Sequence, residues 1–171
     1  MMGRTHVLGG LNALWLLYMV PTGMTKETAP LLVGLAAFGA LLPDLDAVDS
    51  KIKRFAVGGI QPFVPLSLLA NRTWGHRGLL HSPAILAWLA LLLVPLTFWT
   101  GWQQLLAFWL GYASHLILDA LTVSGIPARP LPRSRLHLLP RRQRFVTGSP
   151  AEDALFVLLA CSTLTLLARF L

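Results

Sequence analysis

The segment WQQLLAFWLGYASHLILDALTV, residues 102–123, decides the class of fold because it is long, apolar and interrupted by few polar side chains. As an α-helix it is long enough to cross the hydrocarbon core of a bilayer, which takes about 20 residues. His115 and Asp119 lie in its last turns. An ionisable group in a membrane helix is costly unless it is paired or binds a metal. The segment therefore predicts a membrane helix that carries part of a functional site.

The composition of the whole chain agrees with a membrane protein. Only 12% of its 171 residues are charged and 55% are apolar, whereas a soluble domain carries about 25% charged residues. Further apolar segments cover residues 7–20, 29–42, 81–100 and 151–171. The first two are short for a full crossing and could form a hairpin within the bilayer. We predict an all-α integral membrane bundle of about five helices, forming one domain over residues 1–171.

The positive charges indicate an orientation. If the N-terminus is cytoplasmic, then the N-terminal tip and residues 44–78 and 124–150 hold twelve of the fourteen Lys and Arg residues. Basic loops accumulate on the cytoplasmic side of multi-pass membrane proteins. The membrane thus explains the net charge of +7, and no nucleic acid is expected as a partner. The arginine-rich residues 129–144 are expected to contact anionic lipid headgroups.

This topology brings most of the metal-ligand residue types to the cytoplasmic ends of the helices. The topology is inferred from Lys and Arg, whereas the candidate ligands are His, Asp and Glu. Because the two inferences use different residues, their agreement supports a single polar site. Imidazole together with carboxylate suits a divalent transition metal, foremost zinc, with manganese or iron as alternatives. The candidate ligands are His6, Asp44, Asp46, His76, His81, His115, Asp119 and Glu152.

Each local motif also has a structural interpretation. His115 and Asp119 are four residues apart and share a helix face, so they could grip one metal or form a hydrogen-bonded pair that stabilises the bundle. Asp44 and Asp46 could chelate a cation or belong to a solvated turn. Glu152 lies three residues after Ser149, which matches a capping box, and that role and a ligand role are compatible.

The segment from His76 to Ser82 holds two histidines and Arg77. Ser82 followed by Pro83 is a typical start of a helix. Arg77, Ser82 and the backbone N–H groups there could bind a substrate phosphate or carboxylate. The alternative is a pair of interfacial histidines and an arginine that extends to the headgroups.

Several of these blocks, in this order, resemble the YdjM-like family of bacterial inner-membrane proteins. Its members are predicted metal-dependent hydrolases, under LexA control in some bacteria. The resemblance runs from Thr5-His6 to about Glu152 and rests on Leu-Leu-Pro-Asp44-Leu-Asp46, Gly-His76-Arg77-Gly-Leu-Leu-His81-Ser82 and Gly-Tyr-Ala-Ser-His115-Leu-Ile-Leu-Asp119. It implies an inner-membrane helical protein with a hydrolase-like metal site. By residue it carries over His6, Asp44, Asp46, His76, Arg77, His81, His115 and Asp119, and less securely Glu152.

The expected function is therefore a metal-dependent hydrolase, and specifically a phosphoesterase acting on a lipid or lipid-linked substrate at the cytoplasmic face. The number of candidate ligands suggests two ions, which could activate a water molecule and hold both reacting oxygens. Asp46 would be a bridging ligand or general base, and Arg77 would stabilise charge in the transition state. Two other classes remain open. One is a non-enzymatic metal-binding or transport protein, and the other is a structural protein whose His–Asp pairs only fix helix packing.

Overall fold

The architecture is that of a computed structural model, which describes residues 1–21, 23–46, 61–74, 78–128 and 134–170, without the side chains of residues 70, 73 and 74. Most of this part of the chain is helical, as predicted. Short 3-10 turns at Leu42–Asp46 and Leu79–His81 follow the second helix and precede the fourth. The helices are α1 (Gly3–Tyr18), α2 (Ala29–Leu41), α3 (Phe63–Trp74), α4 (Pro83–Leu93), α5 (Thr97–Thr100), α6 (Trp102–Ala120) and α7 (Pro150–Leu167).

An α-helix and two strands lie in the segments 44–78 and 124–150, which the predicted topology leaves between the membrane helices. Strands β1 (Ile126–Pro127) and β2 (Arg135–Leu136) pair antiparallel after α6. The helix α3 contains a proline near its start. Pro65 is the third residue of α3, where a backbone N–H has no partner within the helix, so the helix accommodates it.

Three helical stretches of 18 residues are long and apolar enough to cross a membrane within the described ranges: Ala29–Asp46, Pro83–Thr100 and Pro150–Leu167. The first joins α2 to its 3-10 turn, and the second runs from α4 through α5. With 16 residues, α1 is about 24 Å long and falls short of the ~30 Å hydrocarbon core. A helical membrane fold is confirmed, whereas the number of crossings and the side of the N-terminus stay predictions.

The centre of the bundle is built from α1, α2 and α6, which approach each other at small residues. A Cβ added to Gly39 of α2 would overlap the Phe108 carbonyl oxygen of α6, and one added to Gly111 would overlap the Ala36 carbonyl oxygen of α2. A Cβ added to Gly10 of α1 would lie 2.8 Å from the Ala36 carbonyl oxygen of α2, which is also too close. Membrane helices commonly pack in this way, because small residues let backbones come into contact. Backbone groups of α2 are thereby brought within reach of α6 side chains.

The helix α7 joins this centre through polar contacts with α1. The Asn12 amide nitrogen donates to the Leu159 carbonyl oxygen and to the Thr163 hydroxyl, at 2.8 Å each. The Trp15 indole nitrogen donates to the Ser162 hydroxyl at 3.1 Å. Interhelical hydrogen bonds of this kind stabilise helix association where lipid offers no competing partner.

The helix α4 is packed much less tightly. None of its residues is buried, and Trp88 in it is 66% exposed, while Phe98 in the following α5 is 86% exposed. In a protein that crosses a membrane, such an apolar outer surface faces lipid or another apolar partner. The α4–α5 stretch therefore borders the bundle without contributing to its buried core.

Candidate metal centre

Five predicted ligands come together at one end of the bundle, from four different elements. His6 lies in α1, Asp44 in the 3-10 turn after α2, His81 in the 3-10 turn before α4, and His115 and Asp119 lie in α6. The three histidines and Asp119 are at most 1% exposed, and Asp44 is 23% exposed. Among the described residues, Asp44 is therefore the member of the cluster that faces an opening.

The carboxylate of Asp119 lies at the centre of the cluster and faces all three histidines. Its Oδ1 is 3.3 Å from His6 Nε2. Its Oδ2 is 3.8 Å from His81 Nε2 and 4.0 Å from His115 Nε2. The two Nε2 atoms of His81 and His115 are 3.3 Å apart. Donor atoms bound tetrahedrally to zinc at about 2.0–2.2 Å lie roughly 3.3–3.6 Å from each other, so the arrangement suits such an ion with small adjustments.

The donors form two overlapping groups that could each hold a metal ion. One group is His6, His115 and Asp119, and the other is Asp44, His81 and His115. Asp44 Oδ1 is 3.7 Å from the Nε2 atoms of both His81 and His115. Because both groups need the same nitrogen of His115, the described donors make one connected site.

The ring of His115 is oriented by the backbone of α2. Its Nδ1 lies 2.7 Å from the Ala40 carbonyl oxygen. A carbonyl oxygen only accepts, so Nδ1 carries the proton and Nε2 presents its lone pair to the cluster. Metal-binding histidines typically have this outer hydrogen bond, which fixes the tautomer and raises ligand basicity. The close approach of α2 to α6 at Gly39 and Gly111 brings the two atoms together.

His81 has a carboxylate on each side of its ring. Asp46 Oδ2 is 3.4 Å from His81 Nδ1, and the same oxygen accepts from the Gly78 N–H at 3.4 Å. Burial lowers the pKa of His81, but the carboxylates of Asp44 and Asp46 outweigh it, so the pKa lies above the usual value. The surroundings of this imidazole thus favour positive charge. Asp46, predicted as a bridging ligand or general base, lies behind His81 and outside both donor groups.

His6 completes the buried side of the cluster. Its ring stacks on that of His115, with centroids 3.7 Å apart and planes inclined by 15°. Its Nδ1 is buried and has no hydrogen-bond partner within the described part of the chain. The Met1 amino group donates to Asp119 Oδ1 at 2.7 Å. Two features fit a pocket suited to positive charge. One is the buried nitrogen of His6, and the other is the Met1 amino group bound to the carboxylate of Asp119.

Glu152 is held apart from the cluster by the backbone that it binds. Its Oε1 accepts from the Met2 N–H at 2.6 Å and from the Thr5 hydroxyl at 2.9 Å, and its Oε2 accepts from the Gly148 N–H at 2.7 Å. The Ser149 hydroxyl accepts from the Glu152 N–H, which forms the expected cap of α7. In this arrangement Glu152 joins the start of α7 to the start of α1, and it belongs to neither donor group.

Of the three other predicted site residues, the structure describes one. Ser82 caps α4, as expected, because its hydroxyl accepts from the Ile85 N–H while it donates to the Leu79 carbonyl oxygen. The ligand candidate His76 and the anion-binding candidate Arg77 lie outside the described residues. The sequence interpretation did not include the Ala40 carbonyl. The small residues Ala36 and Ala40, four apart in α2, are the signal that could have indicated the close helix contact.

Comparison with known proteins identifies the family. The model of the YdjM inner membrane protein family matches residues 1–171, and the chain belongs to that family. The uncharacterized protein YvsG of Bacillus subtilis (strain 168) is 33% identical over 127 residues, which cover 74% of this chain and 71% of YvsG. No solved structure matches the chain. The family resemblance is thereby confirmed, and with it the assignment as an inner membrane protein.

Proposed function

We propose that the protein is a metal-dependent hydrolase of phosphoesters in lipids or lipid-linked molecules, acting at the cytoplasmic face of the inner membrane. The observation that carries the proposal is the buried Asp119 carboxylate, which faces three imidazole nitrogens beside the partly exposed carboxylate of Asp44. A cluster that only stabilised packing would gain nothing from an open edge. A hydrolytic site needs one, because water and substrate must enter.

The ion would be held by His6, His81, His115 and Asp119. When bound, such an ion supplies Lewis acidity, which activates water and stabilises negative charge on a phosphoryl oxygen. The donor types favour zinc, with manganese or iron as alternatives. A second ion would share Asp119 with the first. It would need further ligands from outside the described residues, for which His76 is the candidate.

Asp44 is assigned the role of general base. Its Oδ1 lies next to His81 and His115, and its side chain borders the opening of the cluster. A water molecule entering there would pass its proton to this carboxylate as its oxygen bonds to the phosphorus atom. The P–O bond to the alcohol of the ester would break at the same time, and the protonated Asp44 would return the proton to that leaving oxygen. The role given to Asp46 in the sequence interpretation passes to Asp44, and Asp46 instead orients His81. Arg77 stays the candidate for stabilising charge on the phosphoryl oxygens.

The metal assignment is tested by elemental analysis of the detergent-purified protein beside two histidine variants. We expect about one equivalent of zinc in the wild type and its loss in His115→Ala. The control is His137→Ala, which removes a histidine of the β2 region that lies outside the cluster. Retention of the metal by His115→Ala, or no metal in wild type after reconstitution with zinc or manganese, would overturn the proposal.

Hydrolysis is tested with a soluble aryl phosphate ester and with vesicles containing phosphatidic acid. Asp44→Asn should keep its metal and lose turnover by roughly 10²–10⁴-fold, the usual contribution of a general base. Full activity of Asp44→Asn would refute the assigned role. Bound metal with no hydrolysis of any phosphoester would instead favour a metal-binding or transport protein that uses the same residues.

The anionic lipid partner is a separate proposal. Arg135, Arg141 and Arg142 are exposed beside the apolar Leu138 and Val146, in the segment that follows α6. Basic and apolar side chains together suit the headgroup region, where each basic residue contributes about 1 kcal/mol of attraction to anionic lipid. Glutamine at all three positions should weaken binding of the protein in nanodiscs to added phosphatidylglycerol. Unchanged binding would remove this partner.

A further inference from the structure

A continuous apolar stripe runs along the side of α6 that faces α4. Its members recur at helical spacing, and so do those of the matching stripe on α4. On α6 the stripe includes Trp102, Leu106, Trp109, Ala113, Leu116 and Ala120. On α4 it includes Pro83, Leu86, Ala90 and Leu93. The two stripes form the walls of a groove, because α4 lies loosely against α6.

The groove contains two cavities along its length. The cavity near the metal centre has a volume of about 170 Å³ and lies between Pro83, Ala120 and the β1–β2 hairpin. The cavity at the far end has a volume of about 370 Å³ and lies between Ala90, Trp102 and Trp109. From Trp102 to Ala120 the stripe is about 27 Å long, nearly the thickness of the hydrocarbon core.

Two polar groups of the far cavity are bonded within the protein. The Trp109 indole nitrogen donates to the Leu86 carbonyl oxygen at 3.0 Å, which joins α6 to α4 between the two cavities. The Thr97 hydroxyl donates to the Val94 carbonyl oxygen at 2.6 Å. These two groups therefore have no donor to offer a ligand, and the lining presents hydrocarbon. A ligand of the same chemistry, without polar groups, fits it best.

The near end of the groove adjoins the proposed catalytic site. Pro83 follows Ser82 and His81, and Ala120 follows Asp119. A lipid whose phosphate lay at the cluster would have its chain at the start of the groove. Trp109 is ten residues from Asp119 along α6, so a chain enters the far cavity only after about 15 Å.

We propose that the groove between α4 and α6 binds the hydrocarbon chain of a membrane lipid, with the headgroup at the metal centre. The proposal rests on the proposed function for the position of the headgroup, while the binding of the chain is independent of it. Three observations favour a lipid chain as the occupant: the apolar exposed surface of α4, the internal hydrogen bonds of Trp109 and Thr97, and the sequence adjacency of Pro83 and Ala120 to site residues. The far cavity makes binding depend on chain length.

The test uses photocrosslinking in vesicles of phosphatidylcholine that contain a phosphatidic acid with a diazirine near the end of one acyl chain. Crosslinks of a long-chain probe should concentrate at Leu93, Trp102 and Leu106. Ala90→Phe, which fills the far cavity, should lower this labelling about tenfold. The matched control Ala87→Phe adds the same ring on the exposed side of α4 and should leave it unchanged. Labelling by a short-chain probe, whose acyl chain ends before the far cavity, should be the same in both variants as in the wild type.

Different outcomes separate this proposal from the hydrolase proposal. Labelling spread evenly over α4 and α7 would overturn the proposal of a lipid-binding groove. An effect of Ala87→Phe equal to that of Ala90→Phe would also overturn it, and so would evidence that two copies of the chain contact each other through this face. In that case hydrolysis of the soluble ester, dependent on His115, would persist. If the protein bound no metal, the hydrolase would fail, while selective labelling of the groove would still support a lipid-chain site.

Discussion

The two sides of α6 differ in how closely another helix approaches them. On the α2 side, Gly39 and Gly111 leave no room for a Cβ, and the backbones are in contact. On the α4 side, cavities of about 170 and 370 Å³ lie between the helices. A hydrogen bond from the Trp109 indole nitrogen to the Leu86 carbonyl oxygen crosses this gap. One helix thus has a rigid side and an open side.

The difference would serve two requirements of the proposed function. Metal ligands must be held within a few tenths of an ångström, and backbone contact between α2 and α6 holds His115 through Ala40. A chain-binding groove must admit molecules of varying length, which a close-packed contact would exclude. We therefore expect substitutions on the α2 side to disturb metal binding and those on the α4 side to disturb lipid binding.

The largest effect is expected from adding one methyl group on the rigid side. Gly39→Ala forces α2 away from the Phe108 carbonyl, which should cost about 1–3 kcal/mol of stability and displace the Ala40 carbonyl from His115. The control Gly34→Ala lies in the same helix with nothing within 4 Å, and it should be neutral or slightly stabilising. Thermal midpoint and metal content of the two variants provide the comparison. Equal behaviour of both would contradict a rigid α2–α6 contact.

Glu152→Ala should separate the stability of the bundle from the metal centre. It leaves the N–H groups of Met2 and Gly148 without their acceptor, at a cost of about 1–3 kcal/mol. Because Glu152 lies outside both donor groups, the metal content per folded protein should be unchanged. A loss of metal with an unchanged thermal midpoint would restore Glu152 as a ligand.

Asp46→Asn should weaken the metal centre without abolishing it. The change removes the charge behind His81, and loss of such an outer partner typically reduces metal affinity 10–100-fold. Competition with a fluorescent zinc chelator measures the dissociation constant. Asp153→Asn is the matched control, since its carboxylate pairs with Arg4 at the surface. Complete loss of metal in Asp46→Asn would identify Asp46 as a direct ligand.

The smallest effect is expected on the open side. Trp109→Phe removes the hydrogen bond to the Leu86 carbonyl and should lower stability by about 0.5–1.5 kcal/mol, with metal content unchanged. Trp15→Phe removes a comparable indole bond, to Ser162 between α1 and α7, and serves as the reference. If α4 is tied to α6 by this bond, only Trp109→Phe should increase hydrogen exchange in α4. No change there would show that α4 is held by other contacts.

The sequence predicted the five donors that the structure brings together, while the roles of the site residues stay predictions. Apolar length and the positions of His6, Asp44, His81, His115 and Asp119 predicted which residues meet, because each lies at the end of an apolar segment. Asp44 and Asp46 could not be told apart, since the 3-10 turn that sends one carboxylate to the cluster and the other behind His81 depends on packing. The helix α3, which contains Pro65 near its start, was not predicted from the sequence.

By itself the sequence determined that the chain is a helical membrane protein of the YdjM family with metal-ligand residues at helix ends, since hydropathy and residue type are local properties. Only the tertiary structure decided which oxygen faces which nitrogen, that the Ala40 carbonyl orients His115, and that Glu152 joins α1 to α7. These depend on the distance between helices, to which every small residue at their contact contributes. The groove between α4 and α6 is likewise a tertiary feature, because it depends on how closely α4 packs against α6.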